Sequence, residues 1–332
     1  MKPVYDFQII DAHCDTITVF DRDRFTLLNA PSHYSFGQEL MYPRFLQVMD
    51  IWVDAARHDV HARVDEYTKE YKEQLELLKA AGKTEGFSVA EILTAKDLTD
   101  YFGFKPPYAG HTGAMLLGIE GGECVGTEAD GLTRLNELFE TGVRLITLTW
   151  NTPNAISDTN CAAGKAPGLT QYGREIVKEM NRLGMIIDLS HISDKGFWDT
   201  LETTSKPVVA SHSDSRRLTP HPRNLTDEMF RALVKNGGVA GINFCSAFLG
   251  GNNDIDRIVE HIEHFCSLGG EKAIGMGSDF DGIESLPEGI EGTRSLYRIF
   301  DRLLELNYTD EQVKGIAGEN FLRVFKEILP EA

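Results

Sequence analysis

The sequence predicts an α/β fold, a (β/α)8 barrel of the TIM type, on three observations. Short, almost wholly apolar runs alternate with stretches of helical periodicity. Five of those runs end in His, Asp or Glu. No glycine-rich phosphate-binding motif follows any of them, which removes support from the nucleotide-binding open sheets. A length of 332 residues suits one barrel with inserted loops, and no linker, repeat or low-complexity tract divides residues 1–332 into separate domains.

The expected strands are Phe7–Asp11, Leu46–Val53, Ala114–Ile119, Arg144–Thr149, Met185–Leu189, Pro207–Ala210, Val239–Phe244 and Ala273–Gly277. Apolar residues at nearly every position mark strands covered on both faces, as parallel barrel strands are. Phe87–Leu93 is set aside as an extra edge strand or helical piece. Helical periodicity runs through Val60–Ala81, Leu132–Glu140, Tyr172–Leu183, Asp194–Thr203, Asp227–Lys235 and Ile255–Leu268. Thr170, Ser193 and Thr226 each stand where an N-cap hydroxyl is needed, and Gly142, Gly184 and Gly237 where helices must stop.

A net charge of −18 repels phosphate backbones, so nucleic acid is not an expected partner. No apolar run approaches the ~20 residues of a membrane span, and neither terminus reads as a signal peptide or lipid anchor, so no membrane association is expected. Five widely spaced cysteines (14, 124, 161, 245 and 266) without a C-x-x-C suggest neither a disulfide framework nor a cysteine metal site, and point to the cytoplasm.

The polar residues at the strand ends carry the functional signal. His13 and Asp15 follow the first strand two positions apart, on one face of an extended segment. Glu120 follows the third, His191 the fifth, His212 the sixth and Asp279 the eighth. A barrel brings all of them to one rim, where such folds carry their active sites. A single strand-end histidine is more often a hydrogen-bonded core residue than a ligand. Three imidazoles and several carboxylates around one mouth are suitable donors for zinc or a similar divalent ion.

These segments match a known family over nearly the whole chain. Asp11-Ala12-His13-Cys14-Asp15-Thr16, Gly118-Ile119-Glu120-Gly121-Gly122, Met180 to His191, Ser211-His212-Ser213, Pro222-Arg223-Asn224, Lys235-Asn236-Gly237-Gly238 and Gly277-Ser278-Asp279-Phe280-Asp281-Gly282 together resemble the renal (membrane) dipeptidases. The resemblance implies a barrel of metallo-dependent hydrolase type that cleaves dipeptides, including those ending in a D-residue, with two Zn2+ ions per chain, and it extends to a homodimer. It implies that His13 and Asp15 hold one ion, His191 and His212 the other, and that Glu120 bridges them. It places Asp279 beside the attacking water and Arg223 on the substrate carboxylate. Where mammalian members carry a histidine after the fourth strand, this sequence has Trp150 followed by Asn151, both expected at the substrate. A different amidohydrolase, such as a deacetylase or lactonase, and a non-catalytic relative are the competing readings. Arg223 argues against the first and the intact ligand set against the second.

The other residues have plainer readings. Asp11 and Asp188 are either carboxylates that orient ligand histidines or ordinary core hydrogen bonders. Asp281 is a turn or supporting residue, and Cys14 turns away from its neighbours into packing. His33, His58, His61, His111, His221, His261 and His264 read as surface or loop residues, although His111, in the Pro/Gly-rich Phe104–Gly113 stretch, and His221, beside Arg223, could line the pocket. The Asn151–Leu169 and Cys245–Asn253 loops are candidate substrate walls.

Overall fold

The computed structural model describes residues 7–104, 111–161 and 167–332. Among the described residues nine parallel strands form one sheet: β1 (Gln8–Asp11), β2 (Arg44–Trp52), β3 (Phe87–Glu91), β4 (His111–Glu120), β5 (Val143–Thr147), β6 (Ile186–Asp188), β7 (Val209–Ala210), β8 (Val239–Ile242) and β9 (Ile274–Met276). Eight of them close a barrel, because β1 pairs with both β2 and β9, and β2 pairs directly with β4. The ninth, β3, pairs with residues 111–115 of β4, below the stretch 117–120 that pairs with β5. It is an edge strand beneath the ring, not a stave of it.

The helices lie where helical periodicity places them. Thr170, Ser193 and Thr226 accept hydrogen bonds from the backbone N–H of Gly173, Gly196 and Met229, and Gly184 and Gly237 end their helices in the left-handed conformation. The helix Val60–Glu85 runs one turn past the expected end, to Gly86. The longer helices outside the expected set are Ala95–Phe102, Tyr297–Glu305 and Asn320–Ile328, joined by short ones such as Thr16–Val19, Phe36–Glu39, Ser246–Leu249 and Asp310–Lys314. Phe321, Val324, Phe325 and Ile328 of Asn320–Ile328 pack with Ile10, Leu46, Ala114 and Leu145, closing the floor of the barrel.

Register fixes what faces inward. Trp52, Glu120, Thr147 and Asp188 lie opposite one another on successive strands, and Asp50, Gly118, Leu145 and Ile186 form the layer two residues below. β1 departs from simple alternation. Asp11 is opposite Gln47, yet the Cys14 N–H donates to Val48 O and the Asp50 N–H donates to Cys14 O, which sets Cys14 opposite Met49. Three steps of one strand thus span two of the other. This bulge turns His13 into the barrel mouth and Cys14 outward against the Met49 sulfur.

Candidate metal centre and active site

The three strand-end histidines share one arrangement. Each turns Nδ1 toward a backing partner and Nε2 toward Glu120. His13 Nδ1 lies 3.1 Å from Asp50 Oδ2, an ion-pair contact rather than a straight hydrogen bond. His191 Nδ1 lies 2.9 Å from Asn151 Oδ1, and His212 Nδ1 lies 2.7 Å from Ser211 Oγ. On the inner side, Glu120 Oε1 is 2.8 Å from His191 Nε2, 3.3 Å from His212 Nε2 and 3.8 Å from His13 Nε2. Asp15 Oδ2 and Asp279 Oδ1 stand 3.5 and 3.8 Å from His13 Nε2. His13, Asp15, Glu120, His191, His212 and Asp279 are therefore brought together, and every one is buried.

The backbone bends to achieve this. His191 and Asp279 follow their strands with φ of 67° and 60°, in the left-handed region that non-glycine residues seldom occupy. Such conformations cost of order 1–3 kcal/mol and persist where the surroundings enforce them. Asp281 shares the conformation, with φ of 66°. Its carboxylate accepts hydrogen bonds from Thr16 Oγ1 and the His33 N–H, tying the loop after β9 to the segment after β1. Gly282 beside it has no room for a side chain, since a Cβ would stand 2.1 Å from Asp15 Oδ2.

Asp188 braces the centre from below. It accepts hydrogen bonds from the N–H of Ser190 and Ser211 and from the hydroxyls of Ser211 and Thr147, and Ser211 in turn holds His212. Asp11 plays a similar part for the opposite strand, accepting from the N–H and hydroxyl of Ser278. Neither touches a ligand imidazole directly. Asp279 Oδ2 accepts from Asn243 Nδ2 at 2.9 Å, which leaves Oδ1 facing the centre.

Charge is distributed unevenly here. Burial pushes His191 and His212 well below the usual imidazole range, and the Arg223 charge pushes the same way, so both present neutral nitrogens. Burial also lowers His13, but Asp50, with Asp15 and Glu120, outweighs it and holds that imidazole well above its ordinary value. Burial raises Glu120 and Asp279, and pushes Asp50 up to about 6.

These residues fit a divalent cation. His13 Nε2 and Asp15 Oδ1 are buried without a hydrogen-bond partner, and the Nε2 atoms of His191 and His212 face each other at 3.1 Å. Buried polar atoms left this way call for a missing partner. Three overlapping donor sets are present, His13 with Asp15 and Glu120, Glu120 with His191 and His212, and His13 with His212 and Asp279, and the first two share the Glu120 carboxylate. Imidazole nitrogen with carboxylate oxygen is the donor chemistry of zinc and similar ions.

Above the centre lies a cavity of about 260 Å3. Asp15, Glu120, His191 and Asp279 form its polar side, and Trp52, Trp150, Phe248 and Ile283 its apolar side. Asn151 also lines it, with its oxygen turned to His191. Arg223 is buried beside Phe248, its guanidinium carbon 5.1 Å from the ring centroid. Its Nη2 donates to His212 O at 3.3 Å, while Nε and Nη1 have no partner.

Residues 4–330 match the model of the membrane dipeptidase family, peptidase family M19. The chain belongs to that family. It is 40% identical over 222 residues to an uncharacterized dipeptidase of Schizosaccharomyces pombe, a match spanning 64% of this chain and 53% of the relative, so the chain matches about half the length of that curated relative. The family barrel recurs in the crystal structure of a dipeptidase described as an M19 metallo peptidase (TM-score 0.80, 22% identity, 99% of this chain and 100% of the other). It recurs again in a metallo peptidase from Rhodobacter sphaeroides liganded with a phosphinate mimic of the dipeptide L-Ala-D-Ala (TM-score 0.76, 22% identity, 98% and 100%).

Some sequence readings need correction and some residues lay outside them. His261, expected at a surface or in a loop, is fully buried; its Nδ1 accepts from the Ser215 N–H and its Nε2 donates to Leu249 O. His111 is exposed at the start of β4, the end of the strand opposite Glu120, and does not line the cavity. The Phe104–Gly113 and Asn151–Leu169 stretches lie partly outside the described residues. Asp50, Trp52 and Asn243 take part in the site without having been singled out. The signal for Asn243 was a lone polar residue inside an otherwise apolar strand run, and for Asp50 a carboxylate within the Leu46–Val53 run, where Gln47 is the other polar residue. No helix among the described residues is long and apolar enough to cross a membrane.

Proposed function

We propose that this protein is a zinc-dependent dipeptidase that hydrolyses the peptide bond of dipeptides, those with a C-terminal D-residue included, using two zinc ions per chain. The observation that carries the reading is the convergence of three histidine Nε2 atoms on Glu120 beside a buried guanidinium with unpaired N–H groups. Family membership and the L-Ala-D-Ala mimic bound by the R. sphaeroides protein support the substrate class.

His13 and Asp15 would hold one ion, His191 and His212 the second, and Glu120 both. Such a pair, when bound, supplies a water of lowered pKa and polarises the carbonyl under attack. Arg223 binds the C-terminal carboxylate of the substrate through its free N–H groups, a forked contact that an internal peptide cannot offer. Asp279 takes a proton from the attacking water at Oδ1 and returns it to the leaving amine, while Asn243 fixes its other oxygen. Trp52 and Trp150 keep bulk water from the scissile bond and contact the substrate side chains. Asn151 holds the His191 ring and borders the substrate. The five cysteines are all unpaired, which supports a cytoplasmic setting.

The test is a zinc determination with a dipeptide panel of L-L and L-D substrates on the same sample. Two zinc equivalents and release of free amino acids, lost on chelation, are expected. Equal cleavage of tripeptides would refute the Arg223 contact. Full zinc retention in His191→Ala or His212→Ala would refute the ligand assignment.

A further inference from the structure

We propose that Asp50 is the positioning carboxylate for the His13 side of the metal centre, and that Gly118 is glycine to make room for it. This inference rests on the metal-centre reading above. Asp50 is fully buried, and neither of its oxygens has a hydrogen-bond partner. A carboxylate in that condition is costly, and stability alone gives no reason for it. Its one ion-pair contact is His13 Nδ1, at 3.1 Å.

The space Asp50 occupies is provided by a particular residue across the strand pair. Asp50 and Gly118 are register partners on β2 and β4, one layer beneath Trp52 and Glu120. A Cβ at Gly118 would come within 2.1 Å of Asp50 Oδ1 and 2.9 Å of its carboxyl carbon. Gly118 itself lies in a strand, where glycine is otherwise unfavourable. The missing side chain on one strand thus admits the carboxylate of the next, directly under the Glu120 layer.

The three histidines are also backed differently. His191 is backed by an amide and His212 by a hydroxyl, whereas His13 alone has a carboxylate behind it. A carboxylate behind a ligand imidazole fixes the tautomer with Nδ1 protonated and makes Nε2 a stronger donor. The contribution of Asp50 therefore falls on one ion of the two.

The experiment is a zinc titration against a competing chelator, with thermal unfolding of the metal-free protein, on wild type, Asp50→Asn, Asp50→Ala, Gly118→Ala and the Asp50→Ala/Gly118→Ala double variant. One of the two zinc equivalents should weaken about ten- to hundredfold in Asp50→Ala and in Gly118→Ala, with the other unchanged. The double variant should be no weaker than Asp50→Ala, since Gly118 acts through Asp50. The metal-free Asp50→Asn protein, which keeps the shape of the side chain, should unfold close to the wild-type temperature while one zinc equivalent is weakened, a combination a merely structural carboxylate would not give. Should Asp50→Ala fail to fold, Asp50→Asn and Gly118→Ala carry the same comparison. Unchanged zinc affinity in these variants, or equal weakening of both equivalents, overturns the assignment to Asp50. A wild-type protein that binds no zinc overturns the metal centre itself, and this inference with it.

Discussion

Trp150 stands edge-on to Trp52, with ring centroids 4.9 Å apart and planes at 60°, and its centroid lies 6.4 Å from that of His191. The pair forms an apolar wall over the carboxylates at a position where the family resemblance leads one to expect a histidine. An indole pair binds by burying apolar surface, in ground state and transition state alike. Truncating either should therefore raise KM more than it lowers kcat. Trp150→Ala and Trp52→Ala should each lose about 1–2 kcal/mol on dipeptides with apolar side chains, or roughly five- to thirtyfold in KM. Separate kcat and KM values on glycyl and leucyl dipeptides check this, and a loss confined to kcat would show that the wall acts in chemistry.

Arg223 has two nitrogens, Nε and Nη1, without partners in a buried setting. Replacing it with Met removes the partner of a desolvated substrate carboxylate, which typically costs 2–5 kcal/mol, so kcat/KM for dipeptides should fall about 30- to 5000-fold. Dipeptide amides, which lack that carboxylate, should be poor substrates of wild type and should lose little more in Arg223→Met. Equal losses on acid and amide would place Arg223 elsewhere in the mechanism.

Asp279 faces the centre with one oxygen and is anchored to Asn243 by the other. Asp279→Asn keeps the shape and removes the proton acceptor. It should lower kcat by about 10²- to 10⁴-fold with zinc content retained. Metal analysis alongside turnover distinguishes this from loss of an ion.

Asp188 accepts four hydrogen bonds, at 3.0, 2.7, 2.6 and 2.7 Å, from groups in the barrel interior. In Asp188→Ala those buried donors lose their acceptor, and the expected loss of stability is about 3–5 kcal/mol. Asp188→Asn, which keeps an acceptor oxygen, should lose less. Urea unfolding of metal-free protein reads the difference as a lower midpoint at constant m.

His261 gives a pH dependence remote from the centre. Burial pushes its imidazole down to about 4 in the folded protein. Its neutral form accepts the Ser215 N–H, and the unfolded chain protonates near pH 6.5. Between those values the unfolded state binds the extra proton, so stability is full above pH 6.5 and declines as pH falls toward 4, by about 3 kcal/mol in all. His261→Gln should flatten the dependence by roughly one proton over that window. Unfolding midpoints of both proteins from pH 7.5 to 4 test it, and parallel curves would sink the idea.

What the sequence determined by itself was the part governed by local spacing. Apolar runs such as Ala114–Ile119 form buried strands, hydroxyls at Thr170, Ser193 and Thr226 start helices, and polar residues that end strands reach one rim because parallel strands all point the same way. His13, Asp15, Glu120, His191, His212 and Asp279 were legible on that ground, and Arg223 only through resemblance. Tertiary structure decided which group stands behind each ligand. Asp50 meets His13 through a one-residue bulge and a glycine on a third strand, and Asn243 meets Asp279 across 36 residues. Register between strands, set by the packing of the closed barrel, selects those pairs, and no periodicity within a single segment encodes it. His261 shows the same limit from the other side, since a histidine on an amphipathic helix reads as exposed until a neighbouring loop covers it and supplies the Leu249 carbonyl.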